Sequence, residues 1–219
     1  MDKLQAVLFD LDGTLIDSEY FYFKNWAPIL KSEFDLQISY DDWIRDFAGH
    51  TLAHNVKRLV EDYGYDTTEE DMWKRTRAAY ADSNMSAIQL MPFAEDILQY
   101  LKEHNIRIGL VTSSYRSTVD TVLGKHGLLH YFEFFVTREC VEFPKPNPEP
   151  YRLALDKLKL DGTCCAAIED TITGSQSALG AGLKLVAVTK QEVERARLTA
   201  VDNIVENLAQ AKQLLSQWI

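Results

Sequence analysis

Two aspartates stand one residue apart in "VLFDLDGTL" (7–15), at the end of a short apolar run and just ahead of Gly13. Such a run reads as a buried β-strand, and on a strand side chains two residues apart face the same way. If strand geometry persists past the run, Asp10 and Asp12 point the same way. One carboxylate can attack an electrophile while the other carries a proton to and from the reacting oxygen. Gly13 lets the chain turn sharply and bring its backbone close to a ligand. Thr14 can cap or brace that turn.

What this pair can do depends on the elements that hold it. Four further apolar segments read as buried strands, at 106–112, 132–137, 164–170 and 183–189. Strands apolar on both faces suit a parallel sheet covered by helices on each side. The intervening stretches have helical character. "FAEDILQYLKEHN" carries a one-sided stripe through Phe93, Ile97 and Leu101, with Leu98 beside them. "PEPYRLALDKLKL" repeats the pattern with Tyr151, Leu155 and Leu158, and its prolines fit a helix start. "TGSQSALGAG" is predicted to be a helix ending at Gly180 or Gly182. Alternation of strand and helix predicts an α/β fold, a Rossmann-like parallel sheet with right-handed crossovers.

One interval breaks that rhythm. From about residue 18 to 86 no strand is predicted, and four segments read as helices. The last two open with caps at Thr51 and at Thr67 or Thr68. Two domains are therefore expected: an α/β core from residues 1–17 and 88–219, and an all-helical domain, 18–87, inserted after the first strand.

In open α/β sheets, ligands bind in the crevice beyond the carboxyl ends of the strands. The first strand leads there to Asp10 and Asp12, the second to Thr112, Ser113 and Ser114, and the fourth to Glu169 and Asp170. Lys145 stands between Pro144 and Pro146 in the loop before the fourth strand. Carboxylates converging in one crevice repel and raise one another's pKa. A hard divalent cation relieves that repulsion, and Mg²⁺ favours a few carboxylate oxygens with water and substrate phosphate. With Lys145 it would give a locally positive floor inside a protein of net charge −10.

That net charge argues against a nucleic-acid partner, which needs a basic face. Hydrophobic residues make up 46% of the 219-residue chain and charged residues 26%, the mix of a soluble globular protein. No apolar run approaches the roughly 20 residues of a membrane span. The first residues, "MDKLQAVLFD", lack the pattern of a signal peptide. Cys140, Cys164 and Cys165 are odd in number and poorly spaced for a disulfide framework or a metal site. A cytoplasmic protein with reduced thiols, monomeric or weakly oligomeric, is the expectation.

The ordered set of motifs resembles the haloacid dehalogenase (HAD) superfamily. "DLDGT" (10–14), "VTSS" (111–114), Lys145 and "EDTITG" (169–174) are similar to its four motifs, in order. The helical insert is similar to the cap of the subfamily that holds β-phosphoglucomutases and related phosphatases. The resemblance implies that Asp10 attacks phosphorus and forms an aspartyl-phosphate. It implies that Asp12 protonates the leaving oxygen and then takes a proton from water. Asp10, the Asp12 backbone carbonyl and Asp170 would hold Mg²⁺, with Glu169 either a ligand or the partner of one. Thr112, the Ser113 N–H and Lys145 would hold the phosphoryl oxygens. Gly174 would allow close packing at a helix start.

Mutases of this kind carry a cap histidine where this chain has Tyr22, and an arginine where it has Leu52, just after the Gly49-His50-Thr51 turn. Both departures favour hydrolysis of a small phosphorylated metabolite, such as a sugar phosphate, over phosphosugar mutation. Ser18, Glu19, Tyr22 and His50 are the candidates for substrate specificity, against plainer readings of Ser18 as a helix cap and Tyr22 as packing. A receiver-like signalling module would share the aspartates, lysine and metal, but not the helical insert. Asp12 also argues against halide displacement, which needs no leaving-group acid.

Overall fold

The computed structural model describes residues 3–190, 195–196, 198–199 and 201–219. The chain divides into two compact units, Met1–Asp17 with Gln89–Ile219, and Ser18–Ile88.

The first unit is built on a parallel sheet. Its strands are β1 (Ala6–Phe9), β2 (Arg107–Val111), β3 (Phe134–Val136), β4 (Cys165–Glu169), β5 (Lys184–Val188) and β6 (Ile204–Val205). Their order is β3-β2-β1-β4-β5-β6. Strand β1 lies at the centre, with Leu8 opposite Gly109 on β2 and opposite Ala167 on β4. All four residues of β1 and all five of β4 are buried, as the continuous apolar runs require. The sequence predicts five strands. The sixth, β6, has two residues, too short for any periodicity to mark it. Predicted strand ends also shrink by a residue or two; β1 stops at Phe9 and leaves Asp10 in the loop beyond it.

The second unit is helical: α1 (Glu19–Phe34), α2 (Tyr40–Asp46), α3 (Leu52–Glu61) and α4 (Glu69–Asp82). Its cap chemistry follows the sequence in part. Thr51 Oγ1 accepts from the His54 amide and Thr68 Oγ1 from the Asp71 amide. Ser39 and Asp42 form a reciprocal capping box at α2. Ser18 is a correction: it precedes α1 in near-helical backbone (φ −90°, ψ −15°), and its hydroxyl caps nothing. An Ncap side chain reaches the first amides from extended backbone, which Ser18 lacks. Trp26, Leu30, Trp43, Phe47, Leu59 and Met72 form the buried centre of this unit. Trp43 stacks on Phe47 at 5.6 Å between centroids, and Trp26 Nε1 donates to the Tyr80 hydroxyl at 2.8 Å.

In the sheet unit the flanking helices are α5 (Ala94–Glu103), α6 (Arg116–Lys125), α7 (Glu149–Leu158), α8 (Ile172–Gly180) and α9 (Leu208–Leu215). The three segments read as helices between strands become α5, α7 and α8. Helix α7 ends where Lys159 turns into left-handed backbone at φ 54°. The two ends of the sheet unit that border the helical segment are tied together: the Asp17 amide donates to Gln89 O and the Met91 amide to Leu15 O, both at 2.9 Å.

Leu8 is fully buried at the centre of the sheet. Leu8→Ala should cost about 2–5 kcal/mol of stability, the transfer loss plus an unfilled cavity. Urea unfolding measures it, and a loss below about 1 kcal/mol would contradict this packing.

Candidate active site

The strand order reverses at β1: the chain proceeds from β1 to β2 and β3 on one side and takes β4, β5 and β6 on the other. Such a switch point opens a crevice beyond the carboxyl ends of the strands. Asp10 is the first residue past β1, and Asp170 the first past β4. The two strands are hydrogen-bonded neighbours with Phe9 opposite Ile168, so continuing that register sets Asp10 beside Glu169, with Asp170 one residue further on. One oxygen from each of Asp10, Glu169 and Asp170 lies within 4.8 Å of the others.

Lys145 enters this cluster from the loop before α7. Its ammonium donates to Asp10 Oδ1 at 2.6 Å, to Glu169 Oε1 at 2.6 Å and to the Val111 carbonyl at 2.8 Å. An ammonium has three protons, and each has an acceptor in the protein. Lys145, Asp10 and Glu169 are all buried. Burial pushes the Asp10 carboxyl up, to about 8, against the pull of the Lys145 ammonium; Glu169 and Asp12 add to the rise. Burial alone would lower the Lys145 pKa, but Asp10 and Glu169 outweigh it and hold the ammonium above its ordinary range.

Glu169 is fixed from a second side. The Tyr151 hydroxyl, at the buried face of α7, donates to the same Oε1 at 2.5 Å. Burial, and then Glu169, push that phenol well above its usual pKa. The other oxygen, Glu169 Oε2, is buried with no hydrogen-bond partner among the described residues. It packs on the start of α8, where a Cβ on Gly174 would stand 1.9 Å from it. The close packing expected of Gly174 is therefore packing against Glu169.

The loop after β1 holds the remaining pieces. Gly13 takes φ +77°, and a Cβ there would lie 2.1 Å from Asp170 Oδ2. Only glycine meets both demands without strain. Thr14 braces Asp170 rather than its own turn, with Oγ1 donating to Asp170 Oδ1 at 3.1 Å. The Asp12 carboxylate turns to Ser114, whose Oγ donates to Oδ2 at 2.6 Å. Thr112 is buried, and its Oγ1 accepts from the Ser114 amide at 3.0 Å. Ser113 is exposed beside it.

Three contacts here have no counterpart in the sequence reading: Tyr151 to Glu169, Thr14 to Asp170, and Ser114 to Asp12. Tyr151 carried a signal only as an apolar position on a helix stripe. Ser114 stood in the second motif without a role.

The specificity candidates lie in the helical unit. Glu19 is engaged within it: its carboxylate accepts from Trp43 Nε1 at 2.9 Å and from the Gly49 amide at 3.2 Å. Tyr22 packs on the core of that unit, with rings of Phe21 and Tyr80 at 5.8 Å. His50 stacks on His54 at 4.0 Å. Ser18 Oγ is buried without a hydrogen-bond partner among the described residues.

The donor set suits a hard divalent cation: carboxylate oxygens at short mutual distance, with an acceptor left unsatisfied on Glu169. None of the three cysteines is bridged. Among the described residues no helix is long and apolar enough to cross a membrane.

The central strand thus ends in carboxylates with a buried lysine beside them, in the order of the motifs. Residues 7–188 match the haloacid dehalogenase-like hydrolase family, and the chain belongs to it. The pyrophosphatase PpaX of Bacillus pumilus is 30% identical over 185 residues, 84% of this chain and 83% of that protein. A phosphoglycolate phosphatase of Nitrosococcus oceani is 25% identical over 220 residues, covering 97% of each. The solved β-phosphoglucomutase of Clostridium difficile shares the fold, with a TM-score of 0.79 at 23% identity over 98% of this chain and 96% of that one. The protein is an enzyme of this hydrolase family with phosphatases among its relatives.

Above about pH 8, where Asp10 is ionised, removing the Lys145 charge leaves two buried carboxylates uncompensated. Lys145→Met should destabilise the metal-free protein by about 3–5 kcal/mol. Urea unfolding in EDTA, carried out above the Asp10 pKa, should also show that adding Asp10→Asn restores part of the loss; equal stability of wild type and Lys145→Met would refute the buried pairing.

Proposed function

We propose that this enzyme is a Mg²⁺-dependent phosphatase that hydrolyses a small phosphomonoester through an aspartyl-phosphate on Asp10. The observation that carries the reading is Asp10 itself: buried, at the end of the central strand, bridged to Lys145 at 2.6 Å, and within reach of Asp170 and Glu169. Burial raises the free energy of such a carboxylate unless a charge partner or a ligand balances it, and groups held in that way are candidates for chemistry.

Asp10, Asp170 and the backbone carbonyl of Asp12 would hold the cation, with Glu169 close by. When bound, it supplies positive charge for the phosphoryl oxygens and keeps Asp10 ionised. In the first half-reaction an Asp10 oxygen forms a bond to phosphorus and the ester P–O bond breaks. Asp12 gives its proton to the departing alkoxide. In the second, water attacks phosphorus, Asp12 takes a proton from it, and the Asp10–phosphorus bond breaks to release inorganic phosphate. Thr112 and the Ser113 amide would donate to the phosphoryl oxygens as charge builds. Lys145 would act there mainly through its charge, because its protons already have acceptors.

The helical unit would serve as the cap that excludes bulk water and selects the leaving group. Tyr22 and Leu52, where mutases carry histidine and arginine, support transfer to water rather than to a second sugar position. Free thiols and the lack of a membrane-spanning helix among the described residues fit a cytoplasmic enzyme acting on a metabolite.

Purified protein with Mg²⁺ should hydrolyse a panel of phosphate esters and stop in EDTA. Asp10→Asn should lower turnover by about 10⁴-fold or more, since the nucleophile is gone. Residual hydrolysis near the wild-type rate would sink the proposal. Interconversion of β-glucose 1-phosphate and glucose 6-phosphate by the wild type, outpacing hydrolysis, would replace it with the mutase reading.

Metal binding should also be proton-linked. Asp10, pushed up to about 8 without metal, binds a proton at neutral pH. A cation must displace it, so affinity should rise from pH 6 to 8 and level off above the Asp10 pKa. Calorimetry in buffers of different ionisation enthalpy reads the released proton. A pH-independent affinity over that range would rule out Asp10 as the linked group.

A further inference from the structure

Tyr151 touches both groups of the buried pair that holds Asp10. Its hydroxyl donates to Glu169 Oε1 at 2.5 Å, and its ring centre stands 5.3 Å from the Lys145 ammonium. The phenol is fully buried on α7, the helix that follows the lysine. The backbone on either side of Lys145 is held separately. The Glu149 carboxylate accepts from the amides of Glu142 and Phe143, at 2.8 and 3.0 Å. The Asn147 carbonyl accepts from Ser177 Oγ at 2.6 Å. The ammonium itself ends a flexible four-carbon stem, so its acceptors decide where it stops. Val111 O belongs to β2 and is fixed by the sheet. Asp10 is the group that reacts in the proposed mechanism. Glu169 is the remaining acceptor, and a glutamate carboxylate turns about a broad terminal torsion. Two donors on one oxygen, Lys145 and Tyr151, oppose that rotation.

We infer that Tyr151 is a positioning residue, acting through Glu169 to set the Lys145 ammonium against Asp10 and the phosphoryl group. The inference rests on the proposed attack by Asp10. Once Asp10 is bonded to phosphorus, it no longer offers Lys145 a full negative charge. Val111 O and Glu169 must then keep the ammonium in place. Without the phenol hydroxyl, Glu169 turns with the ammonium, and the positive charge drifts from the oxygens on which negative charge builds. An error of position in a group that acts as charge builds costs rate more than binding. Tyr151 itself exchanges no proton in the reaction.

Tyr151→Phe keeps the ring and removes only the donor. On p-nitrophenyl phosphate with Mg²⁺ it should lower kcat about tenfold and leave KM within about twofold of wild type. In a Glu169→Ala background, where the acceptor is gone, the same substitution should change kcat by less than about twofold. The Lys145 ammonium signal in ¹⁵N NMR of the metal-free protein gives a readout independent of turnover. Its hydrogen exchange should be about tenfold or more faster in Tyr151→Phe, as the pinned geometry loosens. A merely structural phenol would lower the urea midpoint and leave kcat and that signal as in wild type, which overturns the inference. A loss confined to KM, or the same loss of kcat in both backgrounds, overturns it as well. Asp10→Asn runs alongside. Turnover near wild type in Asp10→Asn overturns the proposed reaction itself. Loss of turnover in Asp10→Asn with wild-type kcat in Tyr151→Phe overturns only the Tyr151 assignment.

Discussion

The buried contact of Lys145 with Asp10 and Glu169 is the constraint around which the sheet unit is arranged. An ammonium and two carboxylates taken out of water lose solvation that their mutual attraction offsets only at short range and in good geometry. The structure supplies both, with two contacts of 2.6 Å and a backbone carbonyl for the third proton. Three separate pieces of chain must meet to make it: the end of β1, the end of β4 and the loop before α7. None can move alone without stranding a charge. The penalty of burial thus becomes a device that fixes the relative positions of the groups that would do chemistry.

The same constraint explains the small residues around it. Gly13 and Gly174 stand where a Cβ would collide with Asp170 and with Glu169 respectively. Tyr151 adds a donor to Glu169 from the helix side, so Oε1 is held by two groups while Oε2 is left bare. That asymmetry favours Glu169 as a brace for Lys145 over Glu169 as a simple bidentate metal ligand. One of its oxygens is already committed, and its neighbour Asp170 projects from the loop with one oxygen turned to Thr14.

Much of this was legible in the sequence because the determinants are local. Continuous apolar runs gave the five longer strands, and carboxylates or hydroxyls directly after them gave Asp10, Asp12, Thr112 and Asp170. Thr51 and Thr68 announced their helices because capping is a bond over three residues. The features that stayed hidden depend on distant pairing. Strand β6 has two residues and exists through its ladder with β5. Tyr151 looks like any core position of an amphipathic helix until the fold sets Glu169 beside its hydroxyl. The partners of Thr14 and Ser114 lie 156 and 102 residues away in sequence. Ser18 failed as a cap for a different reason: residue type allowed it, and backbone angles did not.

Charge balance links the acidic chain to its proposed anionic substrate. Three carboxylates against one ammonium leave two negative charges in the cluster, the amount a divalent cation cancels. Without that cation the protein has another route to relief, a proton on Asp10, and its raised pKa of about 8 is the sign of it. The proton and the cation therefore compete for one excess of negative charge. In the proposed reaction, a nucleophile kept protonated until metal arrives would be silent toward phosphorus, because a neutral carboxyl is a poor attacking group. Activity would then follow occupancy of the site rather than the presence of the folded chain, and the net charge of −10 would be compatible with the proposed phosphate binding. The repulsion that would exclude an anion would be cancelled locally by the cation, at the ends of β1 and β4, where the strand order reverses.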